Sequence, residues 1–236
     1  MKKVALIGYA DSRKTFKPEE YDGEIWIMND MFDLGFKFDR IFDIHDDQDI
    51  LNRVTRRRDL NLFESFKKIQ KPIYMQHVWQ EIPYSVEYPI GGIEKEFHLT
   101  EAMGQHLFLT CSPAYMLALA IYEKFEQIEL YGIDLAIDGE FKDELPGVLY
   151  WLGLASGRGI NIVISETSPL LKCFYRYGYD DPKKDQANIF IENEIKRINS
   201  IKNTAEEIQK KYRDEEMKCL GASTILEHFQ KLINNI

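Results

Sequence analysis

The chain has 236 residues, 44% of them hydrophobic, enough to build the core of one large domain or of a domain with an appendage, and this excludes a disordered chain. Thirty Lys and Arg against 39 Asp and Glu leave a formal net charge of −9, which argues against nonspecific binding of nucleic acid by phosphate neutralisation. The three cysteines, Cys111, Cys173 and Cys219, are odd in number and far apart, unlike a zinc site or a disulfide scaffold, and point to a reducing, cytoplasmic compartment.

After the basic start Lys2-Lys3, the apolar run Val4-Ala5-Leu6-Ile7 ends at Gly8, too short for an export signal or a membrane span. It reads instead as a strand buried on both faces of a parallel sheet. Further strands are expected at 24–28, 40–44 and 72–75, with a basic helical stretch between the last two, so β and α material alternate. From Ser112 the pattern turns helical, with Ser112 as the cap and Pro113 in the first helical position. A strand over 127–131 leads to Gly132-Ile133-Asp134, a second helix runs from Pro146 through Trp151 and Leu154, and a strand follows over 160–164. Residues 1–180 are therefore expected to form an α/β domain, a Rossmann-like open, mostly parallel sheet flanked by helices.

Beyond Pro182 the composition becomes charge-rich. Ile191, Ile195, Ile198, Ala205, Ile208 and Tyr212 recur at steps near three and four, Leu220-Gly221-Ala222 breaks the pattern, and a second amphipathic stretch runs from Ile225 to Ile233. The tail, 183–236, reads as a helical hairpin or a coiled coil, and as the route to a homo-oligomer or a protein partner.

Several stretches lie where an open α/β sheet presents its ligand crevice, beyond the carboxyl ends of its strands. Gly8-Tyr9-Ala10-Asp11-Ser12 follows the first strand and reads as a ligand-contacting loop or a tight turn; it matches neither a dinucleotide fingerprint nor a Walker loop. Asn29-Asp30 follows the second and reads as a base or ribose contact or as an Asx turn. Cys111-Ser112 opens the apolar helix with hydroxyl and amide donors suited to an anion, or with a cap alone. Gly132 and Asp134 end a further strand, where a carboxylate can bind ribose hydroxyls. Asp138, Glu140, Asp143 and Glu144 fall on an expected loop, the best place for a general base.

Asp43-Ile44-His45-Asp46-Asp47-Gln48-Asp49 is the densest group of metal-capable ligands. Capping of the next helix by Asp46, Asp47 and Asp49 is the preferred reading, and no metal is assigned. Arg53, Arg56, Arg57 and Arg58 make a basic run, read as a solvated helix face that could meet phosphate. His77, His98 and His106 lack partners at ligand spacing, and no nucleophile elbow is present.

In order, MKKVALIGYADS, IWIMND, LTCSPAYMLALAI, IELYGIDLAIDGE and INIVISETSPLL resemble the core of the bacterial sialyltransferases that use a CMP-activated sugar, over roughly the first 175 residues. The resemblance implies a nucleotide lodged among the loops after the strands. Gly8 and Ser12 would lie in the first nucleotide loop, Asn29 on the nucleotide, Cys111 and Ser112 by the sugar or phosphate, and Asp134 at the pocket wall. Two departures stand out: Tyr9-Ala10-Asp11 replaces Asn-Gly-Pro before the serine, and no histidine lies between Glu140 and Trp151, where that family keeps its base. Glu144 or Glu140 is left to take over proton abstraction. The Gly-Ile-Asp-Leu-Ala stretch also resembles pterin pyrophosphokinases, which would imply ATP and magnesium near Asp43 and Asp134. The whole layout is similar to uncharacterised Rossmann-like proteins of bacteriophage and prophage genomes.

The leading expectation is a protein binding a nucleotide or CMP-type nucleotide-sugar, glycosyltransferase-like if active. The alternatives are a non-enzymatic, phage-type binding or assembly module with a degenerate pocket, and a pyrophosphokinase-like enzyme. No cofactor is assigned firmly.

Overall fold

Short runs rich in β-branched and aromatic residues favour strands, an unbroken apolar run such as Val4–Ile7 favours burial on both faces, and six of the seven strands were expected from the sequence. A computed structural model describes residues 1–97, 108–135, 141–172, 176–179 and 182–233. The strands are β1 (Lys3–Ile7), β2 (Glu24–Met28), β3 (Arg40–Phe42), β4 (Ile73–Met75), β5 (Ser85–Glu87), β6 (Gln127–Tyr131) and β7 (Asn161–Ile164). They form one all-parallel open sheet in the order β5-β4-β3-β2-β1-β6-β7. The chain runs outward from β1 to one edge and then returns to add β6 and β7 on the other side. The strand order therefore reverses between β1 and β6, the place where doubly wound sheets open a crevice.

The α-helices among the described residues are α1 (Asp47–Asn52), α2 (Leu62–Phe66), α3 (Ile90–Phe97), α4 (Ser112–Tyr122), α5 (Phe141–Gly157) and α6 (Pro182–Ile233). Helix α4 is apolar around its whole circumference, with Ala114 and every residue from Met116 to Ile121 buried, because it packs on β1 and β2 while α3 and α5 flank it. Trp26, Trp151, Phe42, Phe66 and Phe125 are the largest fully buried side chains and anchor the core.

Four local readings are corrected. Ser112 does not cap α4: Cys111 holds the cap position, without a side-chain cap bond, and Ser112 and Pro113 are the first helical residues. Helix α5 begins at Phe141, with Pro146 inside it, so Asp143 and Glu144 sit in a first helical turn rather than on a loop. Arg53 to Arg58 are not a helix face, because α1 stops at Asn52 and the chain bends back through the Val54–Asn61 bridge. The expected break at Leu220-Gly221-Ala222 is absent: α6 runs for 52 residues straight through it. One mid-helix glycine costs only about 1 kcal/mol against alanine, which a helix this long absorbs.

The chain divides into two compact units, residues 1–172 and 173–236. No described helix is long and apolar enough to cross a membrane.

Candidate functional site

Because α4 and α5 return the chain to the amino ends of β6 and β7, their own first turns stand at the carboxyl edge of the sheet, with the loops after β1, β2, β3 and β6. Most sequence-predicted site residues meet along that edge, in three neighbouring groups.

The first group closes the β1–β6 boundary. Gly8 N–H donates to the Tyr131 carbonyl at 2.8 Å and Ala10 N–H to that of Gly132 at 2.9 Å. The Ser12 hydroxyl, 1% exposed, donates to the Asp134 carboxylate and accepts from Gly132 N–H at 2.8 Å. Gly8 and Gly132 lie back to back, each where a Cβ on the other would collide with its carbonyl, and Gly132 adds a left-handed φ of 70°. The small residues of this loop thus let two backbones approach each other. Asp11 is exposed and pairs with Lys14 at 2.9 Å, away from this group.

The second group spans β1, β2 and β3. Tyr9 hydroxyl donates to Asp30 Oδ1, and Asp30 Oδ2 accepts from Arg56 N–H at 2.6 Å. Burial and the Asp30 contact push the Tyr9 phenol well above its ordinary value, so it stays a donor. The Arg56 guanidinium lies 4.2 Å from the centre of the Tyr9 ring. Buried Asp33 meets Arg58 Nε at 3.0 Å and the Thr55 hydroxyl at 3.2 Å. Sequence reasoning missed these arginine partners. The only sequence signal was general: the basic run follows Asp30, Asp33 and Asp43, which need cations when buried, but nothing in the spacing pairs them.

Asn29, between Met28 and Asp30, carries an unsatisfied oxygen, as does Asp33, whose Oδ1 meets Arg58 as an ion pair without a hydrogen bond. Its N–H donates to the Phe42 carbonyl at 2.9 Å and its backbone is left-handed, φ 51°. Its side chain is 9% exposed, and Oδ1 is buried with no hydrogen-bond partner.

Past β3, Asp43 is fully buried and accepts from His45 Nδ1 at 2.7 Å and from Arg53. That hydrogen bond, ahead of the opposing effect of burial, raises the His45 pKa above its ordinary value. One ligand atom each from Asp43, His45 and Asp49 lies within 4.8 Å of the others. Arg53, however, also pairs with Asp49 at 3.0 Å, so a guanidinium already supplies the positive charge between the two carboxylates. Asp46 caps α1 through a 2.9 Å bond from Asp49 N–H. Asp43 and Asp134, where the pyrophosphokinase resemblance implies magnesium, are thus held by Arg53 with His45 and by Ser12.

The third group joins the starts of α4 and α5. Thr110 hydroxyl donates to the Glu144 carbonyl at 2.8 Å, and Cys111 Sγ lies 4.0 Å from the same oxygen. Burial pushes the Cys111 thiol up to about 11, which keeps it protonated and a poor nucleophile. Glu144 is half-buried, with its carbonyl beside Thr110 and Cys111. Glu140, the other candidate base, lies outside the described residues, as do Asp138, His98 and His106. His77 is stacked on Trp79 at 5.3 Å between ring centres.

No protein-family model matches the chain, and no curated protein does. Among solved structures, it is similar to the sialyltransferase CstII of Campylobacter jejuni in complex with cytidine-5′-monophosphate, with a TM-score of 0.45 and 16% identity, covering 70% of this chain and 80% of that one. CstII with CMP-3FNeuAc gives 0.44, 16% identity and the same coverage. CST-II with a trisaccharide acceptor and CMP gives 0.43, 15%, and 70% of this chain against 81% of that one. Likeness at these values carries no weight for activity.

Proposed function

We propose that the 1–172 unit binds a nucleotide or nucleotide-sugar of CMP type at the carboxyl edge of its sheet, and acts as a glycosyltransferase when an acceptor is supplied. Asn29 carries this reading. A buried acceptor left without a donor costs about 1–3 kcal/mol, and a left-handed non-glycine backbone adds a similar order of strain. Both are concentrated on one residue at the carboxyl end of β2. An amide oxygen there calls for a ligand donor, such as a ribose hydroxyl or the exocyclic amine of cytosine. The start of α4 suits the phosphate, since the helix dipole favours negative charge at that end.

In the transfer step an acceptor hydroxyl attacks the anomeric carbon, the bond from that carbon to the phosphate oxygen breaks with its electron pair going to the nucleotide, and the hydroxyl proton passes to a base. Glu144 and Glu140 are the proposed bases. Rates of Glu144→Gln and Glu140→Gln against wild type, measured with a donor that the protein binds, test that assignment, and unchanged turnover in both removes it. One observation favours a second reading, a binding module without transfer. Ser12 and Asp134 bridge the crevice mouth to each other, which leaves that carboxylate engaged within the fold.

The binding claim is tested by thermal shift against CMP, CDP, UDP, GDP, ADP, ATP and CMP-sialic acid, with and without magnesium. A ligand at a hundred times its dissociation constant stabilises by about 2.7 kcal/mol. Selective stabilisation by cytidine ligands is expected, and no shift with any of them overturns the reading.

A further inference from the structure

Because α6 is continuous through Gly221, the two apolar stretches of the tail fall into one phase. Ile191, Ile198, Ala205, Tyr212, Cys219 and Leu226 succeed one another at intervals of seven, and Ile201, Ile208, Ala222 and Phe229 follow three residues behind members of that series. This is the a and d spacing of a two-stranded coiled coil. In the 173–236 unit the seam faces solvent: Ile191, Ile198, Ile201, Tyr212 and Leu226 are between 51% and 68% exposed. A helix about 78 Å long with such a stripe gains most of its stability from a partner rather than from propensity.

We propose that α6 pairs with α6 of a second copy of this chain as an antiparallel two-stranded coiled coil whose twofold axis passes at Met217. A second copy fits because it repeats the same heptads in the same phase. Residues 182–236 also carry ten Lys and Arg against nine Asp and Glu, so the tail is nearly neutral in a chain of net charge −9, and two copies meet there without repulsion.

The direction follows from the one charged residue that interrupts the middle of the seam, Glu215. A parallel pair would set Glu215 against its own copy, two like charges in a desolvated layer, and would also stack Tyr212 on Tyr212 and Ala222 on Ala222. With the axis at Met217, each position faces the one equally far on the other side. Tyr212 then meets Ala222 of the partner subunit, a large residue against a small one. Glu215 meets Cys219 of the partner subunit, flanked by the partner's Lys218, and Lys218 is flanked in return by the partner's Glu215. Lys210, Lys211, Asp214, Glu215 and Lys218 line one shallow hollow on the helix, so both signs of charge are already concentrated just before the axis. Position 201 faces position 233, giving an overlap of about 50 Å at 1.5 Å per residue, with Ile191 and Ile198 outside the paired stretch.

The experiment uses the full chain. Its mass in solution is expected to be twice 27.8 kDa at micromolar concentration. Pulsed electron-electron spin resonance then reads the direction, with one nitroxide on Asn199→Cys after Cys111→Ala, Cys173→Ser and Cys219→Ala. The antiparallel pair puts the two labels about 54 Å apart, and moving the label to Asn203→Cys shortens this by about 12 Å. A separation under about 20 Å from both sites means a parallel pair and overturns the proposal. A monomeric wild-type chain overturns it as well. Leu226→Asp in the otherwise native chain gives a readout independent of the cysteine replacements: it is expected to return the mass to 27.8 kDa while the melting of the 1–172 unit holds, and a persisting dimer contradicts the seam.

Discussion

Asn29 combines a strained backbone with a buried, unpartnered oxygen, and glycine at that position removes both. Asn29→Gly is therefore expected to leave the unfolding free energy unchanged or raised by up to about 1 kcal/mol, while abolishing the cytidine-dependent shift. Loss of stability and of binding together would make Asn29 a structural residue. His45 gives a prediction in pH. Its pKa is raised in the fold, chiefly by the hydrogen bond to Asp43, with Arg53 opposing and Asp49 assisting. The stability it contributes is thus fully present below its unfolded pKa near 6.5 and is lost as pH rises through the folded value. His45→Gln should therefore cost more stability at about pH 5.5 than at about pH 9, read by urea denaturation, and an equal cost at both would contradict the pairing. The strand-end polar residues were legible because their types and places were informative. Their partners were not, since nothing in the spacing of Arg53 and Arg56 says that the chain bends back over Asp43 and Asp30 to meet them.

At the scale of elements, the loops after β1 and β6 depend on a mutual absence of side chains. Gly8→Ala and Gly132→Ala should each destabilise by about 2–3 kcal/mol in chemical denaturation, since backbone must move to admit a Cβ and Gly132 is also left-handed. Trp151→Ala, which empties the fully buried ring joining α5 to Phe97 and to the Phe108 carbonyl, should cost about 3–5 kcal/mol. The long strands β2 and β6 could be read to the residue and β1 to within one, since the expected start Val4 gives way to Lys3. Strand β5 could not: it is three residues at the sheet edge, half-covered, without an apolar pattern to announce it. Two helix starts were misread as well. Ser112 reads as a cap and Pro146 as a start, but α4 starts at Ser112 itself behind Cys111, which makes no side-chain cap bond, and α5 starts at Phe141.

At the scale of the molecule, the alternation of strands and helices was enough to anticipate a doubly wound sheet, while its strand order and the position of the β1–β6 reversal were not in the sequence, because pairing of distant strands leaves no local trace. That reversal makes neighbours of residues as distant as Ser12, Asp134 and Ser165, while the β2–β3 pairing sets Asn29 beside Phe42. The tail shows the opposite limit, since a single glycine read as a break hid a heptad phase that runs through it. The most direct test of the central claim is a CMP titration of the isotopically labelled full chain followed by amide nitrogen–proton correlation spectra. The account predicts saturable shifts grouped at Gly8–Ser12, Asn29–Asp30, Cys111–Ser112 and Gly132–Asp134. Unchanged spectra, or shifts confined to residues away from the carboxyl edge of the sheet, would contradict it.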